Sequence, residues 1–378
     1  MQDFILREIV KGNLVDELGL IGFDKSYRIQ ASSKFKYKNI KIYALTVPQA
    51  NILKQTALAV GADCATHRET ITAKIGISDC ILGGSISQLN KIADKLKHQP
   101  FGLKVLGEKI AQFVALEKNS QTKIVGILNL TSDSFSDGGA FLNIENAKMH
   151  LIQMVSDGAD IIDIGAESTK PYSKPVSDDV QLSRLLPILE FIKSDNINIP
   201  ISIDTRSANV AKACIEAGAT IINDVSGFDY DENMIDVVAQ TGVKVIVQHS
   251  KGTPENMQDN VFYESLLDEI YLNLCSKVEK ALIKGVRKEN IIIDPGIGFG
   301  KTREDNFEII RRIEEFYGLG CEVMLGVSRK SLLNMPEADN DMKDIFTVAL
   351  NSLAVENKVD YIRVHNVKLH KQLISILK

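Results

Sequence analysis

The chain has 378 residues, of which 44% are hydrophobic and 25% are charged. This composition is typical of a soluble globular protein with a substantial core, and it excludes a disordered chain. No apolar run approaches the roughly 20 residues that span a bilayer. The N-terminal sequence carries acids early and lacks the pattern of a secretory signal. We therefore expect a cytoplasmic protein with no membrane partner.

The charge and the cysteines narrow the class of protein further. Residues 1–121 carry 17 basic and 11 acidic side chains, whereas residues 122–378 carry 27 and 38. A large acidic part argues against a nucleic-acid partner. The five cysteines include no CxxC pair, which predicts reduced thiols rather than a disulfide framework or a zinc site.

Residues 1–121 predict a small α+β or α/β module. Lysines alternate with aromatic residues at positions 34–38, and a predicted strand follows over residues 40–47. We interpret this stretch as an amphipathic strand with solvated lysines rather than a nucleic-acid patch, because no RNA motif accompanies it. Residues 67–70 and the glycine pair at 83–84 are interpreted as a turn or a helix cap. We expect a structural role for the module, in stability or assembly. Its predicted helices cover residues 48–60, 86–97 and 106–116.

Eight short β-branched runs follow from residue 122. Helical segments are predicted between them at residues 145–157, 178–193, 209–217, 263–283 and 305–316. The runs are nearly continuous in apolar residues, which is typical of parallel strands covered on both faces. Eight such units over residues 122–378 predict a (β/α)8 TIM barrel. A doubly wound sheet is the alternative fold, with about five or six strands and one dominant Gly-rich first turn. The predicted strands are residues 124–130, 160–166, 199–205, 220–226, 243–249, 291–297, 321–327 and 360–366.

Polar or charged side chains stand at the carboxyl end of every predicted barrel strand, where barrel enzymes place their active sites. One such residue is usually a cap or turn residue, but eight strands ending in this way indicate a ring of functional groups. Asp204, Asn223 and Asp294 suit a flat nitrogen heterocycle. The groups expected to be cationic suit an anion, and they are Lys330, Arg363 and His365. The set is Asn129, Glu167, Thr169, Asp204, Asn223, Asp224, Gln248, His249, Asp294, Ser328, Arg329, Lys330, Arg363 and His365.

Three loops carry further signals. The sequence DPGIGFGKT at 294–302 fails the Walker pattern because Pro295 stands where glycine is required, and it also fails the Rossmann pattern. We interpret it as backbone that closely approaches a ligand or the neighbours of Phe299. The Ser/Gly/Pro-rich loops at 131–141 and 167–177 are predicted to be lids that close over the site.

Seven motifs in chain order resemble the signatures of dihydropteroate synthase, a folate-pathway family. The resemblance covers residues 123–369 and leaves the N-terminal module outside it. It implies condensation of 6-hydroxymethyl-7,8-dihydropterin pyrophosphate with 4-aminobenzoate to give 7,8-dihydropteroate and pyrophosphate. It also implies Mg²⁺, sensitivity to sulfonamides and a homodimer through barrel helices. The motifs are ILNLTSDSFSDGG, DIGAESTKP, ISIDTR, AGATIINDVSG, IIIDPGIGFGKT, LGVSRKS and YIRVHNV.

The resemblance also implies roles for individual residues. Asn129, Arg363 and His365 would surround the pyrophosphate, and Asn129 would be the protein's ligand to Mg²⁺. Asp137 in the first lid would stabilise a cationic intermediate, so that the implied catalytic group is Asp137, Lys330, Arg363 and His365. The implied pterin-binding residues are Asp204, Asn223, Asp294, Lys330 and Arg363. The implied 4-aminobenzoate-binding residues are Phe135, Thr169, Pro171, Phe299 and Ser328.

Four positions depart from the usual family pattern: Ser132, Lys170, Gln248 and Asn366 stand where Pro, Arg, Met and Asp are common. We expect them to affect lid geometry and the affinity for 4-aminobenzoate or sulfonamides, and not the class of reaction.

Three alternative functions remain open at this point. The methyltetrahydrofolate methyltransferases share positions like Asp204 and Asn223, but their chemistry has no pyrophosphate to hold. A barrel aldolase needs a lysine inside a strand, and the predicted strands offer Lys244 alone. A pterin-binding paralogue without activity would use the N-terminal module as a partner surface.

Overall fold

The computed structural model divides the chain into two compact units, Met1–Leu116 and Glu117–Lys378. This division lies slightly before the boundary predicted between residues 121 and 122. The structure describes residues 7, 9, 13–116, 121–130, 139–168, 172–253, 256–259, 261–333, 335 and 338–377.

The N-terminal unit is an α+β module, as the sequence predicts. Its sheet has three antiparallel strands, β1 (Tyr37–Thr46), β2 (Asp63–Thr66) and β3 (Ile77–Ser85), in the order β1–β3–β2. The three predicted helices are confirmed, and they pack an apolar core against one face of the sheet. The helices are α1 (Leu14–Leu20), α2 (Arg28–Ser32), α3 (Val47–Leu58), α4 (Ile86–Leu96) and α5 (Leu103–Ala115).

The structure confirms one local prediction in this unit and corrects another. His67 caps a short 3₁₀ helix by accepting a hydrogen bond from the Glu69 N–H. The pair Gly83–Gly84 is not a turn, because both residues lie inside β3. A Cβ on Gly83 would come within 2.6 Å of the Tyr37 hydroxyl. A larger residue at position 83 would therefore require the Tyr37 side chain of the neighbouring strand to move.

The second unit is a closed barrel of eight parallel strands, which confirms the predicted TIM barrel and excludes the doubly wound sheet. Each strand lies within or within one residue of its predicted run. The strands close in sequence order, with the last pairing to the first. They are β4 (Lys123–Asn129), β5 (Ile161–Gly165), β6 (Ile201–Asp204), β7 (Ile221–Asp224), β8 (Lys244–Gln248), β9 (Ile291–Asp294), β10 (Glu322–Leu325) and β11 (Tyr361–Val364).

In the part of the chain that the structure describes, eight α-helices surround the barrel. All five predicted segments are helical, but the segment predicted at 305–316 breaks after Arg311 and continues as the 3₁₀ helix Ile313–Leu319. No helix in the described ranges is both long and apolar enough to cross a membrane. The helices are α6 (Gly139–Ser156), α7 (Asp178–Ser194), α8 (Ala208–Glu216), α9 (Asn233–Thr241), α10 (Leu266–Ile283), α11 (Arg303–Arg311), α12 (Asn340–Glu356) and α13 (Val367–Ile376).

The barrel interior is layered, which fixes where a site can form. An apolar layer that includes Val125, Ile246 and Met324 fills the lower half. At the start of the strands, Lys244 forms an ion pair with Glu322 at 2.5 Å. Lys244 thus lies at the amino-terminal end of the barrel, away from the mouth. The aldolase alternative therefore loses its candidate lysine.

Candidate active site

The register of the first four barrel strands brings predicted site residues side by side at the mouth. Asn129 pairs with Gly165, Gly165 with Asp204, and Asp204 with Asn223. A Cβ on Gly165 would lie 3.7 Å from Asn129 Oδ1 and 3.4 Å from Asp204 Cβ. The missing side chain therefore lets these two groups face the same space. Asn129 is exposed, whereas Asp204 and Asn223 are buried.

Arg363 joins two carboxylates inside the mouth. Its Nε donates to Asp163 Oδ2 at 2.6 Å, and its Nη2 donates to Asp204 Oδ2 at 2.7 Å. The Asn223 side-chain amide donates to the same Asp163 oxygen at 3.1 Å. Asp163 is fully buried and was not among the predicted site residues. An acid in the middle of the apolar run DIIDIGA was the signal that could have revealed it.

Asp204, one of the two carboxylates bound by Arg363, has a raised pKa. Burial raises its pKa to about 7, and the negative charges of Asp163 and Glu167 act in the same direction. The positive charges of Arg363 and Lys330 oppose this rise. Asp204 therefore exchanges its proton near neutral pH, where it can accept or share a hydrogen bond with a substrate N–H.

Lys330 and Asp294 face each other across the opposite side of the mouth. A Cβ on Gly326 would lie 3.8 Å from Lys330 Nζ and 3.9 Å from Asp294 Oδ2. Lys330 donates to the Ile297 carbonyl at 2.5 Å, and its ammonium lies 4.7 Å from the centre of the Phe299 ring. Burial lowers the Lys330 pKa to about 8, although Asp294 counteracts this. Burial raises the pKa of Asp294.

The structure corrects the expectation that His365 is cationic. Burial, with the charges of Arg329 and Arg363, lowers the His365 pKa to about 3, so the ring is neutral at pH 7. Ser328 Oγ accepts from the His365 backbone N–H at 3.2 Å and lies 2.9 Å from His365 Nδ1. The hydroxyl can therefore donate to Nδ1, which leaves the ring proton on Nε2.

The glycine-rich loop after β9 is shaped by protein contacts. Gly296 and Gly300 both have positive φ, and a Cβ on either would clash with a backbone carbonyl of the loop after β8. Lys301 is buried beside them and donates to the Phe299 carbonyl at 3.0 Å. The prediction of backbone that approaches its surroundings closely is confirmed for protein neighbours: Gly296 approaches His249 and Gly300 approaches Lys251, whereas Phe299 packs with Val225 and Met257.

Other residues at the strand ends make structural contacts. Asp224 accepts three hydrogen bonds within its own turn. Glu167 forms a buried ion pair with Arg206 at 2.9 Å, and Arg329 makes a double contact with Asp344 at 2.8 Å. Asp224 therefore has the turn role that a single polar residue usually has, whereas Glu167 and Arg329 are engaged in ion pairs.

Part of the second predicted lid lies within the described residues. Tyr172 donates through its hydroxyl to Asp259 at 3.2 Å, and the Val176 N–H donates to Glu167. The following predicted residues lie outside the described residues: Ser132, Phe135, Asp137, Thr169, Lys170 and Pro171.

Two of the departures from the family pattern have local explanations. Gln248 is buried and donates to the Val225 carbonyl at 3.3 Å. Asn366 caps α13 and also donates to Asp344 at 3.3 Å. An aspartate at 366 would instead place a second carboxylate beside Asp344, so the amide suits this neighbourhood.

A closed parallel barrel with acidic, amide and cationic groups gathered at its mouth defines a class of enzymes that bind a polar heterocycle with an anionic substituent. Residues 125–365, most of the barrel, match the family model described as pterin binding enzyme. Dihydropteroate synthase of Clostridium beijerinckii is 43% identical over 65% of this chain and 90% of its own length. The chain belongs to the dihydropteroate synthase family of pterin-binding transferases.

Solved structures agree with this assignment. The synthase from Anaplasma phagocytophilum with bound 6-hydroxymethylpterin-monophosphate is 40% identical, with a TM-score of 0.63 over 68% of this chain and 98% of that chain. The Xanthomonas albilineans synthase with 4-aminobenzoic acid is 31% identical, with a TM-score of 0.64 over 68% of this chain and 92% of that one.

Some relatives extend beyond the barrel. A Helicobacter pylori protein named bifunctional dihydropteroate synthase/dihydropteroate reductase is 32% identical over 99% of this chain and 98% of its own length. A Haloferax volcanii protein named probable bifunctional folylpolyglutamate synthase/dihydropteroate synthase is 33% identical over 87% of this chain. The chain covers 41% of the length of that haloarchaeal relative.

Proposed function

We propose that the protein condenses 6-hydroxymethyl-7,8-dihydropterin pyrophosphate with 4-aminobenzoate, forming 7,8-dihydropteroate and releasing pyrophosphate. The observation that carries this proposal is the Arg363 guanidinium bound to Asp204 beside Asn223 in the barrel mouth. A dihydropterin presents N–H donors and acceptors along its edge, and buried carboxylate and amide groups match such an edge with high selectivity.

The proposed pterin pocket has two sides. Asp204 and Asn223 bind one edge of the ring, and Asp294 with Lys330 binds the other. Arg363 lies between the two sides and supports the ring and the adjoining phosphate. This arrangement uses five side chains that the register and the hydrogen bonds already hold in fixed positions, so little ordering is required when the substrate binds.

We assign the pyrophosphate to the rim of the mouth. The exposed amide of Asn129 offers a neutral oxygen, and the neutral His365 ring offers an N–H. Mg²⁺ prefers oxygen ligands and retains waters, so the Asn129 carbonyl together with phosphate oxygens suits it as a ligand set. When bound, Mg²⁺ would neutralise charge on the pyrophosphate and so make it a better leaving group.

In the proposed reaction, the bond between the pterin methylene carbon and the pyrophosphate oxygen breaks, and the electron pair leaves with pyrophosphate. The dihydropterin ring delocalises the resulting positive charge, and the Asp204 carboxylate stabilises it electrostatically. The amine of 4-aminobenzoate then forms the new C–N bond and loses a proton. We propose that Asp137 in the first lid also helps to stabilise the cation. We assign 4-aminobenzoate binding to Phe299 and Ser328, together with the lid residues Phe135, Thr169 and Pro171.

Incubation of the two substrates with the protein and Mg²⁺ tests this function, with dihydropteroate detected by mass spectrometry. Product from the wild-type chain and none from Lys330→Ala supports the proposal. Pterin binding without product formation by the wild-type chain would instead favour the inactive paralogue.

We propose that the protein acts as a cytoplasmic homodimer through barrel helices. The support for the dimer is a stripe of exposed side chains on α12, namely Met342, Ile345 and Leu353, which lie on one helical face. Ile345→Glu should shift the mass in sedimentation equilibrium from dimer to monomer. Ile283→Glu, at a more exposed position at the end of α10, should not. The support for the cytoplasm is that the five cysteines form no disulfide.

A second activity is proposed for the N-terminal unit: reduction of dihydropteroate. The supporting observation is that the Helicobacter pylori relative, named for both activities, matches the chain over 99% of its length. This differs from the structural role expected from the sequence. The reaction would add a hydride and a proton across the C=N bond of the dihydropterin ring, with a reduced nicotinamide or flavin as the hydride donor. Its substrate would be the product of the barrel.

Tetrahydropteroate formation from dihydropteroate, with NADPH or a reduced flavin, tests the second activity. The full chain should form tetrahydropteroate, and a fragment of residues 117–378 should retain only the synthase reaction. Equal reductase activity in the fragment, or none in the full chain, would overturn the assignment to the N-terminal unit.

A further inference from the structure

Asp163 lies in the interior of the barrel, in register with Ser202, which stands two residues before Asp204 on the neighbouring strand β6. Its Oδ2 accepts from Arg363 Nε at 2.6 Å and from Asn223 Nδ2 at 3.1 Å. These donors come from strands on either side of β5, since Arg363 is on β11 and Asn223 is on β7. One fully buried carboxylate therefore fixes two groups assigned above to the pterin.

The two contacts of Arg363 have different surroundings. Asp163 is deeper in the barrel, in register with Ser202, whereas Asp204 is at the row that opens to the mouth. A substrate edge can reach Asp204 and compete with Arg363 for its oxygens. The contact with Asp163 lies behind that row, so that it persists while the Asp204 contact is exchanged.

We propose that Asp163 is a positioning residue for the pterin substrate. It holds Arg363 and Asn223 in place when Asp204 exchanges its contact with the Arg363 guanidinium for a contact with the pterin ring. The inference rests on the synthase function proposed above, and it gives a role to Asp163, which opens the motif DIGAESTKP but was assigned none by the sequence analysis. Asp163 acts by positioning Arg363 and Asn223 and does not itself contact the reacting atoms.

The charge of Asp163 also acts on Asp204. The charged groups that influence Asp204 are Arg363 and Lys330, which lower its pKa, and Asp163 and Glu167, which raise it. Neutralising Asp163 removes one of the two negative charges and leaves Arg363 with Asp204 as its remaining carboxylate partner. Both changes lower the Asp204 pKa. A residue that only supported the fold would leave the pH dependence of catalysis unchanged.

The test is steady-state kinetics of the full chain carrying Asp163→Asn. The KM for the pterin pyrophosphate should rise about tenfold or more, because displacing a positioning group by even ~1 Å has effects of this size. The KM for 4-aminobenzoate should stay within about twofold, because its proposed site contacts neither Arg363 nor Asn223. The acidic limb of the kcat/KM profile should move to lower pH.

Ser202→Ala is the matched control. Ser202 is buried in the same layer, and its hydroxyl has no hydrogen-bond partner among the described residues. It should leave both KM values and the pH profile unchanged. Asp163→Ser provides a second uncharged variant in case Asp163→Asn does not fold. An unchanged pH profile, or an equal rise in both KM values, in a folded variant would overturn the inference. Inactivity of the wild-type chain would instead overturn the proposed function.

Discussion

Lys301 Nζ lies 2.9 Å from His249 Nδ1, and both side chains are buried. Burial lowers the Lys301 pKa well below its ordinary value, although Asp294 opposes this. Burial and the nearby charges of Lys301 and Lys277 lower the His249 pKa to about 2. The pair links the loop after β8 to the loop after β9, and Lys301 also holds the backbone of Phe299.

Lys301→Met should lower stability and weaken 4-aminobenzoate binding. The change leaves the Phe299 carbonyl and His249 Nδ1 without this donor, and one buried unsatisfied group costs about 1–3 kcal/mol. Urea unfolding and the KM for 4-aminobenzoate measure the two effects. Lys284→Met removes an exposed ion pair with Asp236 and should cost less than about 1 kcal/mol. Equal stability of the two variants would contradict this role of Lys301.

The synthase activity should have a narrow pH optimum between pH 7 and pH 8. Asp204, with a pKa of about 7, is ionised above that pH, and Lys330, with a pKa of about 8, is protonated below that pH. The kcat/KM for the pterin pyrophosphate should therefore fall on both sides. In Lys330→Arg the alkaline limb should move upward, because a guanidinium stays charged. An alkaline limb that does not move would show that Lys330 is not the group responsible.

His249 should make the fold sensitive to acid. Its pKa is about 2 in the folded protein, below its ordinary value, so only the unfolded chain takes up a proton as the pH falls below about 6.5. The wild type should lose about 2 kcal/mol relative to His249→Gln between pH 7 and pH 5. Urea unfolding at the two pH values measures this. A pH-independent difference between the two proteins would show that the ring takes up its proton equally in the folded and unfolded chains.

Asp204→Ala should weaken binding of the dihydropterin pyrophosphate by about tenfold to a hundredfold, the value of a hydrogen bond to a charged group. Isothermal titration calorimetry measures the change. Asp236→Ala is the control, because it removes a carboxylate on the barrel helix α9 that pairs with Lys284 and is not part of the proposed pterin pocket. This variant should bind the substrate with wild-type affinity. Unchanged affinity in Asp204→Ala would show that the pterin binds elsewhere.

The barrel could be predicted because its signals are local and repeated. Each strand is a short apolar run, and each run ends in a polar residue, so the eight strands and their order follow from pattern alone. Asp204, Asn223 and Lys330 were found because they stand at those ends. The strands of the N-terminal unit were harder, since β2 has four residues and β3 contains the Gly83–Gly84 pair.

The groups that sequence analysis missed depend on pairing between distant segments. Asp163 gains its importance from Arg363, 200 positions later in the chain. Lys301 stands at the end of the loop that fails the Walker pattern, and its partner His249 lies on the loop after β8, 52 positions earlier in the chain. The neutral state of His365 also depends on burial and on two neighbouring arginines. Spacing along a sequence reports none of these relationships.

Pyrophosphate release from the dihydropterin pyrophosphate with Mg²⁺, measured with and without 4-aminobenzoate, is the decisive assay of the synthase function. We predict release that depends on 4-aminobenzoate, accompanied by an equal amount of dihydropteroate, and lost in Asp204→Ala. Release that is independent of the arylamine, or no release from a chain that still binds the pterin substrate, would contradict the synthase function.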